Sequence, residues 1–199
     1  MGAKTISFIL MMGVLGNVLF AISYNAPHIV PGIVAIDFSL VAAYIAGFYG
    51  GPLIGFISGL FVGIFPGIMF GPFGMGSWLG LIGLPLGKGL TGLTAGIIAR
   101  GLGLGRRQYS SLLAVPATLL AYIPEGLYTY VYCAYLLPFF VGTGGAFIFT
   151  LYILPKALGE IITMSFLMAA LIGNHGFNDF IGRIFRKTLL DYKSQNKST

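Results

Sequence analysis

Long apolar stretches alternate along the chain with short runs rich in glycine, proline or arginine. A helix that crosses a bilayer needs about 20 mostly apolar residues. By that measure the pattern predicts six spans. The first covers about Thr5 to Tyr24. Two prolines and a glycine between Asn25 and Gly32 then read as an outer loop. A short second span follows from Asp37 to about Tyr49, closed by a turn at Gly50, Gly51 and Pro52. The third covers about Leu53 to Phe70, with Pro66 expected to kink its end, and Gly71 to Gly76 is a second outer loop. The fourth runs from Trp78 to Ala99 and ends in a basic loop, Arg100 to Arg107. The fifth covers Ser111 to Leu136, Pro138 to Gly145 forms a third outer loop, and the sixth covers Phe147 to Ile172. The expected fold is therefore all-α: a polytopic six-transmembrane-helix bundle, Met1 to Gly173. Asn174 to Thr199 reads as a basic cytoplasmic tail whose last residues have the composition of disorder.

Charge sets the orientation of these spans. Lys4, Arg100, Arg106, Arg107, Arg183, Arg186, Lys187, Lys193 and Lys197 all fall on one predicted side, and the three predicted outer loops contain no lysine or arginine. Cytoplasmic loops carry such an excess, so both termini are expected in the cytoplasm. The segment Met1 to Ser23 is followed by no clear small-x-small cleavage site and reads as a retained first span in the cell membrane.

Composition agrees. Charged residues make up 8% of the chain, against about 25% in ordinary soluble proteins, so most of the surface must face lipid. The 31 glycines suit close helix approach in a bilayer. The net charge of +6 is a topology signal and does not form an aromatic-interleaved patch, which argues against a nucleic-acid partner. The single cysteine, Cys133, reads as a small packing residue. No His, Cys or carboxylate grouping has metal-site spacing. Gly87, Lys88 and Gly89 lack the phosphate cradle of a nucleotide loop. No cofactor, metal or enzymatic activity is expected.

Ionisable groups within the hydrocarbon are costly, by about 2.5–3.5 kcal/mol on insertion scales, and mark partners or polar cavities. They are Asp37, Lys88, Glu125, Lys156 and Glu160. Lys156 and Glu160 share a helix face at i and i+4. Lys88 and Glu125 lie at similar depth and form a second candidate pair. Asp37 begins a helix and suits capping of its free N–H groups. Tyr128 and Tyr132 follow Glu125 on about the same face, Trp78 stands at the outer end of the fourth span, and His28 lies in the first outer loop. Together these groups suggest an outward-facing cavity for a polar, flat solute, although the tyrosines and tryptophan also suit interfacial anchoring.

Three segments carry a resemblance. Ile36, Asp37, Phe38 and Ser39 open a stretch that reaches the Gly51-Pro52 turn and Gly55. Lys88, Gly89, Gly92 and Gly96 form a small-residue helix, and Leu154, Pro155, Lys156, Gly159 and Glu160 lie in the sixth span. The chain resembles, over most of Met1 to Gly173, the substrate-binding S components of energy-coupling factor (ECF) transporters, of riboflavin type. The resemblance implies capture of a vitamin from outside, docking on a transmembrane coupling subunit driven by two ABC ATPases, and toppling to release substrate inward. It implies a ligand contact for Lys156, since riboflavin-type members carry a lysine there. It also implies docking through small residues on the first span, at the face that here offers Gly13, Asn17 and Ala21, where Asn17 departs from the small-residue pattern. The competing expectations are a lipid-handling or cell-shape scaffolding membrane protein and, more distantly, an intramembrane lipid-modifying enzyme.

Overall fold

The computed structural model describes residues 2–25, 37–73, 77–104 and 110–183. These are almost wholly helical, with no strand among them. Helix α1 is Ala3–Asn25, and α2 is Leu40–Ile45, continued by a π-helical turn over Ala46–Gly50. Helices α3 (Pro52–Val62) and α4 (Ile64–Phe70) are nearly continuous. Next come α5 (Ser77–Leu102), α6 (Ser110–Val131) with a π-helical turn over Tyr132–Leu136, and α7 (Pro138–Gly173). A last helix, α8, spans 175–183.

Five stretches are long and apolar enough to cross a membrane: Ala3–Asn25, Pro52–Phe70, Trp78–Leu102, Ser110–Phe140 and Pro155–Gly173. The outside of the bundle is aliphatic and aromatic, with Val14, Ile22, Leu112 and Phe147 all exposed. The inside holds serines, threonines and charges. An apolar outside with the polar groups turned inward suits a lipid surround, because polar groups must find their partners within the protein there. The chain is thus a multi-pass helical membrane protein. Leu40–Gly50 is shorter than these five. At 1.5 Å per residue it covers about 16 Å, roughly half the hydrocarbon thickness. It sits inside the bundle, with every residue from Leu40 to Gly47 buried.

The third span breaks at Gly63, in the turn before Pro66, whose ring would meet the Val62 carbonyl in an unbroken helix and offers it no N–H. Pro66 falls in the first turn of α4, where a helix has no use for its missing N–H. The break has a donor of its own. Asn17 of α1 donates from Nδ2 to the Phe61 carbonyl at 2.9 Å and accepts the Phe65 N–H on Oδ1 at 3.0 Å. Those two backbone groups are each other's partners in an unbroken helix, so the amide is spliced into the ladder and kinks it. Asn17→Leu should leave both groups unpaired in an apolar setting and cost about 1–3 kcal/mol, measured as a fall in the unfolding midpoint of the detergent-solubilised protein. A loss below about 0.5 kcal/mol would show that the splice is not formed.

Helices α3 and α5 meet backbone to backbone. A Cβ on Gly55 would collide with the Gly92 carbonyl, and one on Gly92 with the carbonyl of Gly55. Gly59 lies likewise on the backbone of Lys88 and Gly89, and Gly63 on Pro85. Gly51, at φ +89°, turns the chain from α2 into α3 and carries the Arg100 guanidinium on its open face.

The expected third outer loop is largely helical. Residues 138–141 continue the turn after α6, Gly142 alone leaves helical geometry (φ 76°, ψ 163°), and α7 then runs unbroken to Gly173. The expected tail begins as structure too. In α8, Ile181 is buried in the main core, Phe177 packs beside it, and the Tyr49 hydroxyl donates to Asn178 Oδ1 at 2.5 Å. The remaining tail residues, 184–199, lie outside the described residues.

Candidate functional site

Four elements bring ionisable side chains together inside this apolar bundle. Asp37 stands just before α2. Its Oδ1 accepts the Ser39 N–H at 2.8 Å, in the turn that leads into the helix. Its Oδ2 receives the Lys88 ammonium from α5 at 2.8 Å. Lys88 also donates to Ser39 Oγ at 2.7 Å and is only 4% exposed. The Asp37 N–H in turn donates to Glu160 Oε1 of α7 at 2.6 Å. The same oxygen takes the Lys156 ammonium at 3.0 Å, the i,i+4 pair expected from spacing. On α6, Glu125 Oε2 accepts the Thr91 hydroxyl of α5. Glu125 and Glu160 are both buried and within electrostatic reach of Lys88.

The Lys88–Glu125 pair expected from depth is therefore replaced by Lys88–Asp37. Because α2 starts inside the bundle, Asp37 lies beside Lys88 and takes the lysine first. Ser39 and Thr91 were missed as site residues. Both carried a signal: Ser39 lies two residues after Asp37, and Thr91 lies one turn after Lys88, on the same face of α5.

The tyrosines extend the site along α6. The rings of Tyr128 and Tyr132 stand 6.3 Å apart and tilted. Gly83 makes room for them, since a Cβ there would lie 2.7 Å from the Tyr132 ring and 3.3 Å from the Tyr128 hydroxyl. Gly87, one turn on, faces Glu125 Oε1 and Tyr128 Cδ1, each 3.5 Å from where its Cβ would be. The Tyr132 hydroxyl is buried with no hydrogen-bond partner among the described residues. Lys156 is the most accessible charge of the set, its side chain 25% exposed.

The other candidate residues lie elsewhere. Trp78 points outward at the start of α5, 71% exposed, as an interfacial anchor does. Trp78→Ala should leave stability within about 0.5 kcal/mol; a larger fall in the unfolding midpoint would show the indole packed against the bundle. His28 lies outside the described residues. Gly13 is turned into the bundle, where a Cβ would meet Phe61 at 2.7 Å, and Asn17 is engaged in the kink. Of the three docking candidates only Ala21 keeps an unengaged side chain, partly exposed on α1. Gly13 and Asn17 thus serve internal packing.

A separate cavity of about 1010 Å³ opens at the far end of α5, lined by Tyr49, Arg100, Ser111, His175 and Asp179 among others. Among the described residues, no group of three or more His, Cys, Asp or Glu side chains is placed to hold a metal ion. Comparison with family models, with curated proteins and with solved structures finds no match to this chain.

Proposed function

We propose that this chain is the membrane-embedded substrate-binding subunit of an uptake system for a water-soluble vitamin, an S component of the ECF type. One observation carries the reading most. In a bundle that is otherwise apolar, Asp37, Lys88, Glu125, Lys156 and Glu160 converge from four elements, with two tyrosines continuing the same face. Burying ionisable groups in a membrane is costly and is typical of solute pathways and binding sites. Such a subunit needs no nucleotide loop, because its ATPases are separate chains.

In this reading the short stretch from Asp37 to about Tyr49 is a sixth span, and both termini face the cytoplasm. The charged cluster then lies in the outer half of the bundle and opens outward. Riboflavin, a flat polar heteroaromatic, is the candidate this reading starts from. Docking on the coupling subunit would use the lipid-facing side of α1 near Ala21, since Gly13 and Asn17 are engaged within the bundle.

The test is direct. Protein purified from its host should carry a small molecule that mass spectrometry identifies after denaturation. The emptied protein should bind that compound without ATP. Lys156→Ala should weaken binding by about tenfold or more, the loss of one charge-assisted contact. Protein that carries only lipid and binds no vitamin would point instead to a lipid-handling scaffold.

A further inference from the structure

The hydrogen bonds of the cluster leave one charge unmatched. Asp37 is held by Lys88, and Glu160 by Lys156. Glu125 has only the neutral Thr91 hydroxyl in contact, on Oε2. Among the described residues its Oε1 accepts no hydrogen bond. Three carboxylates thus face two ammonium groups, and the surplus falls on Glu125.

The free oxygen lies beside Gly87, 3.5 Å from where a Cβ on that residue would stand, with Tyr128 Cδ1 at the same distance. A carboxylate oxygen beside a glycine offers a cation a charge-assisted contact. Lys156 has further donors, but its charge is already balanced by Glu160. A ligand bearing a carboxylate would meet an uncompensated negative charge here, at a point where like charges repel strongly.

We propose that the ligand is a positively charged nitrogen heterocycle whose cationic group meets Glu125 Oε1 beside Gly87. This rests on the vitamin-binding reading above and narrows its substrate class, away from neutral riboflavin.

Three probes separate the possibilities: thiamine, a cationic heterocycle; riboflavin, neutral; and biotin, anionic. Each is titrated into the emptied, full-length protein in lipid nanodiscs. Thiamine is expected to bind in preference to the other two. Glu125→Gln should weaken thiamine by at least about thirtyfold, the usual loss when one partner of a buried charge contact is removed. Glu125→Gln should leave the unfolding midpoint of the ligand-free protein in place. Preference for riboflavin or biotin overturns the inference and leaves vitamin binding intact. If none of the three binds and no small molecule co-purifies, the vitamin reading fails and this inference with it. Should Glu125→Gln not fold, the ranking of the three probes on the unaltered protein decides alone.

Discussion

Lys88→Met is expected to destabilise the protein by about 3–5 kcal/mol, the cost of breaking a buried ion pair from one side. Methionine has nearly the length of lysine, so the packing of α5 changes little. What changes is Asp37. Its carboxylate keeps the Ser39 N–H but loses the ammonium that balances its charge, and Ser39 Oγ loses its donor. The second half of the experiment gives the result its meaning. Asp37→Leu added to Lys88→Met removes the stranded charge and should recover most of the loss, because a well-packed apolar pair often matches a buried ion pair in stability. Unfolding midpoints of the two variants in the same detergent measure both. A single variant as stable as the parent, or a double variant no better than the single, would rule out the pairing.

Gly92→Leu should also be damaging, for a different reason. Its new Cβ would press on the backbone of Gly55, and backbone cannot swing aside as a side chain does. Overpacking of a tight contact costs about 1–3 kcal/mol, and forcing α3 from α5 also disturbs the turn at Gly51 and the seating of Lys88 one helical turn away. The expected result is a lower unfolding midpoint and lower yield of monodisperse protein. Gly101→Ala is the matched control, since a Cβ there meets nothing within 4 Å. It should be neutral or stabilising by up to about 1 kcal/mol, the helix propensity gained. Equal effects at the two positions would mean that the α3–α5 contact is not as close as described.

The helices were largely legible in the sequence because span length is set by the bilayer. The runs at Ala3–Asn25, Pro52–Phe70 and Trp78–Leu102 lie within a few residues of expectation. Lys156 with Glu160 was legible because one helix carries both and spacing alone brings them together. Contacts between helices were not. Depth placed Lys88 opposite Glu125, but pairing also depends on how each helix is rotated and where α2 begins, and neither can be read from hydropathy. Asn17 shows the same limit. A polar residue among small ones departs from a docking stripe, and only the broken ladder between Phe61 and Phe65 reveals what it does. The helix after Gly173 escaped notice because its polar residues resemble a tail, while Phe177 and Ile181 were too few to mark a buried face.

The two sides of α5 differ in a way that matters for movement. Toward α3 it is a close seam of glycine on backbone, with no side-chain hydrogen bond across it among the described residues. Toward α6 the contact is stitched by hydroxyls: Thr91 to Glu125, and Thr94 to the Ala121 carbonyl. Hydroxyl bonds can be traded for bonds to water or to an incoming solute at little net cost, whereas parting a close seam forfeits its packing outright. A force that prises the bundle apart therefore finds its zip along α5 and α6, and the unmatched oxygen of Glu125 lies on that line.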